Sequence, residues 1–558
     1  MLGEPATLAE VLLSRADDEH VGLRFESVSW TYRELVEACS RRAAWLAGRR
    51  PHGRPDHVGV LLDNVPEFWM LLGAAALSGT TIVGVNPTRR GAALARDLAA
   101  TDCHTLVTEH AFASLLEDVD PGLDTARIHM IDDPTYRTQI EGCLAAAPEE
   151  AVTPATTFML IFTSGTTGAP KAVRMGHGRL TGYAGKLGEM FGLTALDVCY
   201  STMPLFHSNA IVAGWATPLR AGATCVLRRR FSASAFLDDV RRYGATWCNY
   251  VGKPLSYVLA TPERPDDTDN PLRIAFGNEA APLDIERFAR RFDCVVADGY
   301  GSTEGGIAMS RGPGTPVGSI GTPLPPQRAL VLDPETGEER PRALLDRDGR
   351  LLNAAAAIGE IVNPDGGGGF EGYYGDPGAT RDRVRDGRYW TGDLAYRDEE
   401  GWFYFAGRSD EWLRVDGENF GAAPVEMILA RTPGVALVAV YAVPAPDAGD
   451  EVMAALLLTP GTRWSPESFA EVLAAQADLS AKWWPRFVRI TASFPATATS
   501  KILKRTLRAE GWWSTEPDRV WWLPGRDAGE DGYRVFDRQA AATYRVRFAD
   551  HGRSHLVP

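Results

Sequence analysis

The stretch Phe162-Thr163-Ser164-Gly165-Thr166-Thr167-Gly168-Ala169-Pro170-Lys171 places hydroxyls, glycines and one lysine between two strand-like runs. This composition suits a polyphosphate. The hydroxyls donate hydrogen bonds, Gly165 and Gly168 let backbone N–H groups come close to oxygens, and Lys171 adds a compact positive charge. A Walker A loop, G-x-x-x-x-G-K-[ST], is excluded because Pro170 stands where its glycine should be and Ala172 where its hydroxyl should be. The following residues, Ala172-Val173-Arg174-Met175, predict a second strand, so the loop caps a hairpin and does not open a helix.

Working outward, 558 residues allow two or three domains, and 45% hydrophobic residues with 56 Gly and 37 Pro are ordinary for a globular α/β enzyme. The net charge of -14 argues against sequence-independent nucleic-acid binding and confines anion binding to local pockets. Seven scattered cysteines without C-x-x-C spacing support neither a disulfide framework nor a zinc knot, which fits a reducing cytoplasm. No signal-type segment opens the chain and no run approaches the ~18 apolar residues of a membrane span, so any membrane contact is expected to be peripheral. Basic residues are overwhelmingly arginine. Lysine occurs only as Lys171, Lys186, Lys253, Lys482, Lys501 and Lys504. Lys171 and Lys501 are therefore candidates for roles a guanidinium cannot fill.

From about residue 8 to 150, helical patterns (Tyr32 to Ala47, Pro66 to Ser78) alternate with apolar runs around Val58 to Leu62 and Thr81 to Val85, predicting a parallel sheet covered on both faces. Residues 197 to 310 repeat the rhythm and predict a second doubly wound sheet. After Pro316, short strands and Gly/Pro/Asp turns predict a small distorted β-barrel. The run Gly366 to Gly369 reads as a mobile loop without chemistry. A compact α/β unit restarts beyond Arg408, with a hinge at Asp410. The expected division is a large domain 1–408, a small mobile α+β domain 409–515 and a tail 516–558.

The ten positions of the loop resemble the phosphate loop of the adenylate-forming superfamily, which contains acyl-CoA synthetases, luciferases and peptide-synthetase adenylation domains. Tyr300-Gly301-Ser302-Thr303-Glu304, directly after an apolar strand, resembles a second motif of that superfamily. The resemblance implies that Tyr300 stacks on adenine, Thr303 contacts the α-phosphate and Glu304 holds Mg²⁺. Tyr389-Trp390-Thr391-Gly392-Asp393-Leu394 resembles the motif whose Asp takes both ribose hydroxyls, here Asp393. Arg408 matches the arginine before the hinge, and Gly277-Asn278-Glu279 sits where the family lines its adenine pocket with backbone. Pro204-Leu205-Phe206-His207 resembles the aromatic gate to the acyl tunnel, although a lone His is often a packed residue. The apolar Ser208 to Trp215 is a tunnel wall or a core helix. Ser500-Lys501-Ile502 resembles the C-terminal Gly-Lys-Ile motif with Ser500 in place of glycine, which makes Lys501 the catalytic lysine. Lys504 and Arg505 read as a solvated basic helix start.

Gly417-Glu418-Asn419 with Asn249-Tyr250-Val251-Gly252 and Phe276-Gly277-Asn278 is similar to the fatty-acid transport protein and very-long-chain acyl-CoA synthetase branch. Lys253 departs from its usual Glu. The resemblance covers about residues 8 to 515. It implies an enzyme that consumes ATP with Mg²⁺ to turn a long-chain fatty acid or a steroid side-chain carboxylate into acyl-AMP, then acyl-CoA with CoA as co-substrate. Two alternatives stay open: a fatty acyl-AMP ligase or carrier-loading adenylation enzyme, and a non-catalytic binding protein. A homodimer is one oligomeric state left open.

Overall fold

A computed structural model of the chain describes residues 4–117, 120, 122–145, 152–163, 170–280, 282–312, 314–347, 351–408, 412–415, 418–447, 449–476, 479–497, 502–513, 520–524 and 532–557. The fold is α/β, built from several sheets. The chain divides into two compact units, one holding residues 1–310 with 367–384, the other 311–366, 385–497 and 502–557. No helix among the described residues is long and apolar enough to cross a membrane.

In the first unit, one sheet runs in the order Ile128–Met130, Thr105–Thr108, His57–Leu61, Thr81–Gly84, Thr157–Thr163, Lys171–Gly176. All its pairs are parallel except the last, which is antiparallel. The near-continuous apolar runs that predict these strands are what burial on both faces demands. Val60, Ile82, Val83, Leu106 and the run Phe158 to Ile161 are fully buried. The helix Tyr32–Ala47 starts at a capping box: Thr31 Oγ1 accepts from the Glu34 amide at 3.2 Å, and the Glu34 carboxylate accepts from the Thr31 amide at 2.8 Å. The helix Pro66–Ser78 is buried from Phe68 to its end, as an all-apolar sequence requires.

The second sheet of this unit takes the order Ala308–Ser310, Val295–Gly301, Ile274–Asn278, Trp247–Val251, Val198–Ser201, Thr224–Leu227, Val21–Phe25, Val28–Thr31. Its interior pairs are parallel and the outermost pair at each end is antiparallel. The hairpin Val21–Phe25/Val28–Thr31 precedes the first sheet in sequence yet joins the edge of the second, with Leu23 to Phe25 opposite Cys225 to Leu227. Alternating side chains feed two cores. Tyr200, Cys248 and Tyr250 meet the helices Phe236–Tyr243 and Pro254–Leu259. Cys199, Trp247 and Ile274 meet Leu187 and Ala213 on the opposite face.

The second unit opens with an antiparallel sheet, Leu330–Leu332, Gly359–Asn363, Arg388–Arg397 and Phe403–Arg408, in the region where turn-rich sequence predicts a small distorted β-barrel. Farther on, the sheet Val435–Pro444, Asp450–Leu458, Phe487–Thr491 gains two more strands, Val520–Trp522 and Arg534–Val535. One face, with Val440, Val452 and Leu456, packs on Val425, Ile428, Phe469 and Leu473. The other, with Tyr441, Val443, Met453 and Phe487, packs on Leu507, Trp512, Phe536, Tyr544 and Phe548. The residues after 520 that lack clear periodicity are therefore core-forming: the helix Arg538–Asp550 contributes Tyr544 and Phe548 at 1% and 0% exposure. Phe548→Ala should cost about 3–5 kcal/mol, whereas Val546→Ala on the exposed side of the same helix should stay within about 0.5 kcal/mol. Urea denaturation of both variants checks this.

Candidate active site

In the antiparallel hairpin Thr157–Thr163/Lys171–Gly176, Thr163 stands opposite Lys171. The two ends of the glycine-rich stretch are thereby held one strand spacing apart on a buried base. The antiparallel pair is the hairpin expected from the strand-like run Ala172 to Met175. Ser164, Gly165, Thr166, Thr167, Gly168 and Ala169 lie outside the described residues, so of that motif the structure describes Phe162, Thr163, Pro170 and Lys171.

A third segment completes the hairpin. Arg174 N donates to Gly372 O at 3.0 Å and Tyr374 N to Ala172 O at 2.8 Å, with Tyr373 opposite Val173. Tyr373 was not singled out in the sequence. Its hydroxyl donates to Glu304 Oε1 at 2.9 Å, and Thr163 Oγ1 reaches the same oxygen at 3.5 Å. Lys171 Nζ sits 5.3 Å from the Tyr373 ring centroid. Burial, and next the Glu304 carboxylate, raise the Tyr373 phenol above its ordinary range, so it stays a donor at neutral pH. The only sequence signal was an aromatic pair, Tyr373-Tyr374, between a glycine run and the Asp376-capped helix Pro377–Arg383.

Glu304 is 7% exposed. Its neighbour Thr303 shares a hydrogen bond with Ser208 between hydroxyls 3.0 Å apart, and its carbonyl accepts from Arg179. Gly369 N donates to Gly305 O at 3.2 Å, and a Cβ at Gly369 would lie 2.4 Å from the Tyr183 hydroxyl. The glycine run expected to be a loop without chemistry thus buttresses the Thr303-Glu304 turn at its C-terminal end. Among the described residues no group of three or more His, Cys, Asp or Glu could hold a metal by itself. A single buried carboxylate suits Mg²⁺ arriving on a nucleotide, whose phosphate oxygens and waters supply the remaining ligands. Within the described residues, the hydrogen bonds to Glu304 fall on Oε1, which leaves Oε2 for such an ion.

Tyr300 lies in the strand Val295–Gly301 opposite Met309. Two residues before it, Asp298 accepts from the Tyr250 hydroxyl at 2.8 Å and the Ala280 amide at 3.1 Å, tying down the turn after Gly277, Asn278 and Glu279. Glu279 takes φ 65°, and Asn278 O accepts from Gly252 N at 2.9 Å. Gly277 has a packing reason of its own: a Cβ there would sit 2.3 Å from the Tyr250 carbonyl oxygen.

His207 is half-buried, and burial lowers its imidazole to about 4, so the ring is neutral at physiological pH. Its Nε2 has no hydrogen-bond partner among the described residues, and its ring centroid is 4.4 Å from that of Phe206. The segment after it forms a π-helix, Ala210–Ala216. Trp215 stacks on Phe158 at 5.6 Å and meets Trp69 edge-on at 5.9 Å. Of the two readings left open for Ser208 to Trp215, Ile211 and Trp215 belong to the core.

In the second unit, Asp393 and Arg408 face each other across neighbouring strands, with Arg408 Nε 3.2 Å from Asp393 Oδ1. The turn before Asp393 is fixed at each step. Gly392 takes φ 73° and donates to Glu360 Oε1 at 2.6 Å, while Thr391 Oγ1 accepts from the Asp393 amide at 3.1 Å. Lys501, Ser500 and Asp410, the expected hinge, lie outside the described residues. On either side of the lysine motif, Ala496 pairs with Ile502 and Leu503 N donates to Pro495 O at 2.8 Å. Lys504 is not a solvated charge. Its Nζ is 2.9 Å from Glu426 Oε1, which also accepts from the Val440 amide at 2.7 Å, and the lysine is 15% exposed.

Residues 13–374 match the family of AMP-binding enzymes, and residues 424–501 the AMP-binding enzyme C-terminal domain. The chain is 49% identical over 506 residues to a medium/long-chain-fatty-acid–CoA ligase of Mycobacterium marinum, covering 90% of this chain and 96% of the relative. It is 45% identical to the steroid-22-oyl-CoA synthetase of Rhodococcus jostii over 99% of both chains. Long-chain fatty acid transport protein 5 of Mus musculus is 32% identical over 85% of this chain and 73% of its own. ATP-bound MatB of Rhodopseudomonas palustris shares the fold, with a TM-score of 0.78 at 23% identity over 90% of this chain and 98% of the other. The chain belongs to the adenylate-forming superfamily of AMP-binding enzymes, among its AMP-forming acid–CoA ligases and on the branch shared with the fatty acid transport proteins.

Proposed function

We propose that the protein is an acyl-CoA synthetase that activates a long or bulky apolar acid, a long-chain fatty acid or a steroid side-chain carboxylate, in two half-reactions. In the first, a carboxylate oxygen attacks the α-phosphorus of ATP in line and pyrophosphate leaves with the bonding pair. In the second, the CoA sulfur attacks the acyl carbonyl, the bond to AMP breaks and the thiol proton passes to solvent. The meeting of Thr163, Lys171, Thr303 and Glu304 at one loop base carries this reading. The relatives named for fatty acids and for a steroid-22-oyl acid supply the substrate class.

In this scheme the loop Thr163 to Gly168 and Lys171 cradle the β- and γ-phosphates, Thr303 orients the α-phosphate, and Glu304 binds Mg²⁺. The ion neutralises phosphate charge when bound. Tyr300 and the backbone of Gly277 to Glu279 hold adenine. Asp393 accepts the ribose hydroxyls, with Arg408 fixing its carboxylate. His207, neutral and partly enclosed, closes the acyl side. Lys501 stabilises charge that develops between the acid and the α-phosphate. The same lysine must leave before a thiol can enter, which is the physical motive for a small domain from 409 that swings about Asp410. All seven cysteines are free thiols, which suits a cytoplasmic enzyme.

Pyrophosphate release across fatty and steroid acids, with and without CoA, tests the activity. Thioester should form with apolar acids of one class, while adenylate that accumulates without ever yielding thioester would favour an acyl-AMP ligase. Lys501→Ala should slow acyl-AMP formation by about 10²–10³ yet spare thioester formation from pre-made acyl-AMP, as single-turnover assays of each half-reaction would reveal. Equal losses in both would remove its role. Asp393→Ala should raise the KM for ATP about tenfold or more, because a charged hydrogen-bond acceptor is lost. Steady-state kinetics with ATP varied would show it.

A further inference from the structure

We propose that Tyr373 is a positioning residue for the Glu304 carboxylate, holding Oε1 so that Oε2 is the oxygen offered to the divalent cation on the nucleotide. This inference rests on the role given above to Glu304. Three observations support it. The hydroxyl is 2.9 Å from Oε1 in a site where Tyr373 is 4% exposed and Glu304 7%. Arg383 Nε lies 3.2 Å from the same phenolic oxygen. A guanidinium can only donate, so the phenol accepts from Arg383 and turns its own proton toward Glu304. Finally, the main chain does not let the ring drift: Tyr373 N donates to Thr380 Oγ1 at 3.0 Å, and Gly372 and Tyr374 on either side bond to the strand that carries Lys171.

The ring also has Lys171 Nζ 5.3 Å from its centroid and Phe370 edge-on at 5.0 Å. One side chain thus refers the metal carboxylate and the phosphate lysine to a common frame. A carboxylate tied at one oxygen has lost freedom about its last torsion before the ion arrives. Partners of this kind commonly change metal affinity by about 10- to 100-fold when removed. A tyrosine that merely fills the core would change stability and leave metal affinity alone.

The test uses the full chain, Mn²⁺ as the probe ion and α,β-methylene-ATP as a nucleotide that cannot be adenylated onto an acid. Free Mn²⁺ is read by electron paramagnetic resonance. Tyr373→Phe should weaken Mn²⁺ binding about tenfold, while affinity for AMP without metal stays at the wild-type value. Wild-type Mn²⁺ affinity in a folded Tyr373→Phe overturns the proposal. So does an equal loss of AMP binding, which marks a packing residue. Should Tyr373→Phe fail to fold, Arg383→Gln takes its place: it should weaken Mn²⁺ binding several-fold, and unchanged affinity there is equally fatal. Glu304→Gln separates the two levels. If it also binds Mn²⁺ normally, the metal role of Glu304 falls and Tyr373 with it; if it alone loses Mn²⁺, only the inference about Tyr373 is lost.

Discussion

The antiparallel pairing of Thr157–Thr163 with Lys171–Gly176 is the constraint on which the Glu304 end of the first unit depends. A parallel strand cannot be followed at once by its neighbour, because a crossover of a dozen or more residues must intervene. By turning back antiparallel at the sheet edge, the chain keeps Thr163 opposite Lys171. The fully buried Phe158 to Ile161 fasten that edge to the core.

Around this hairpin the chain recruits groups distant in sequence. Glu304 reaches Thr163 across 141 residues, and Tyr373 reaches Glu304 across 69. None of these contacts is strong by itself: a hydrogen bond to a charged group contributes about 1.5–3 kcal/mol. Their value is geometric. Two backbone bonds from the strand at Ala172 and Arg174 set the height of the Tyr373 ring, and the ring sets the carboxylate. A similar economy operates in the second unit, where the Gly392 amide on Glu360 and strand register bring Asp393 opposite Arg408.

Buried titratable groups divide in a chemically useful way. His207 and His177 are both lowered to about 4 by burial, so neither carries charge at neutral pH. His177 packs edge-on against Phe158 and serves the core. His207 stands beside Phe206, three residues before the π-helix begins, where a neutral, compact ring requires no counter-ion. The Lys504–Glu426 pair is the opposite case: two charges withdrawn from water, stabilised by each other and by the Val440 amide. Their placement fixes the start of the helix Lys504–Glu510, just after the lysine motif.

The sequence by itself determined the α/β rhythm, the hairpin at Lys171 and the short list of polar motifs, because periodicity, proline and glycine act locally. Helices such as Tyr32–Ala47 and Pro66–Ser78 were legible to the residue, since a capping box and an N-terminal proline announce their starts. Local signals do not encode which edge a strand joins. The hairpin Val21–Phe25/Val28–Thr31 precedes the first sheet in sequence and pairs with the second. The strands and helix after residue 520 looked aperiodic because their aromatic side chains answer to a core assembled from Tyr441, Met453 and Phe487 far upstream. Tyr373 was invisible for the same reason. Nothing near it in sequence distinguishes it from Tyr374, and only the fold, by pairing its backbone with Val173, decided that one hydroxyl would meet Glu304 and the other Asp102.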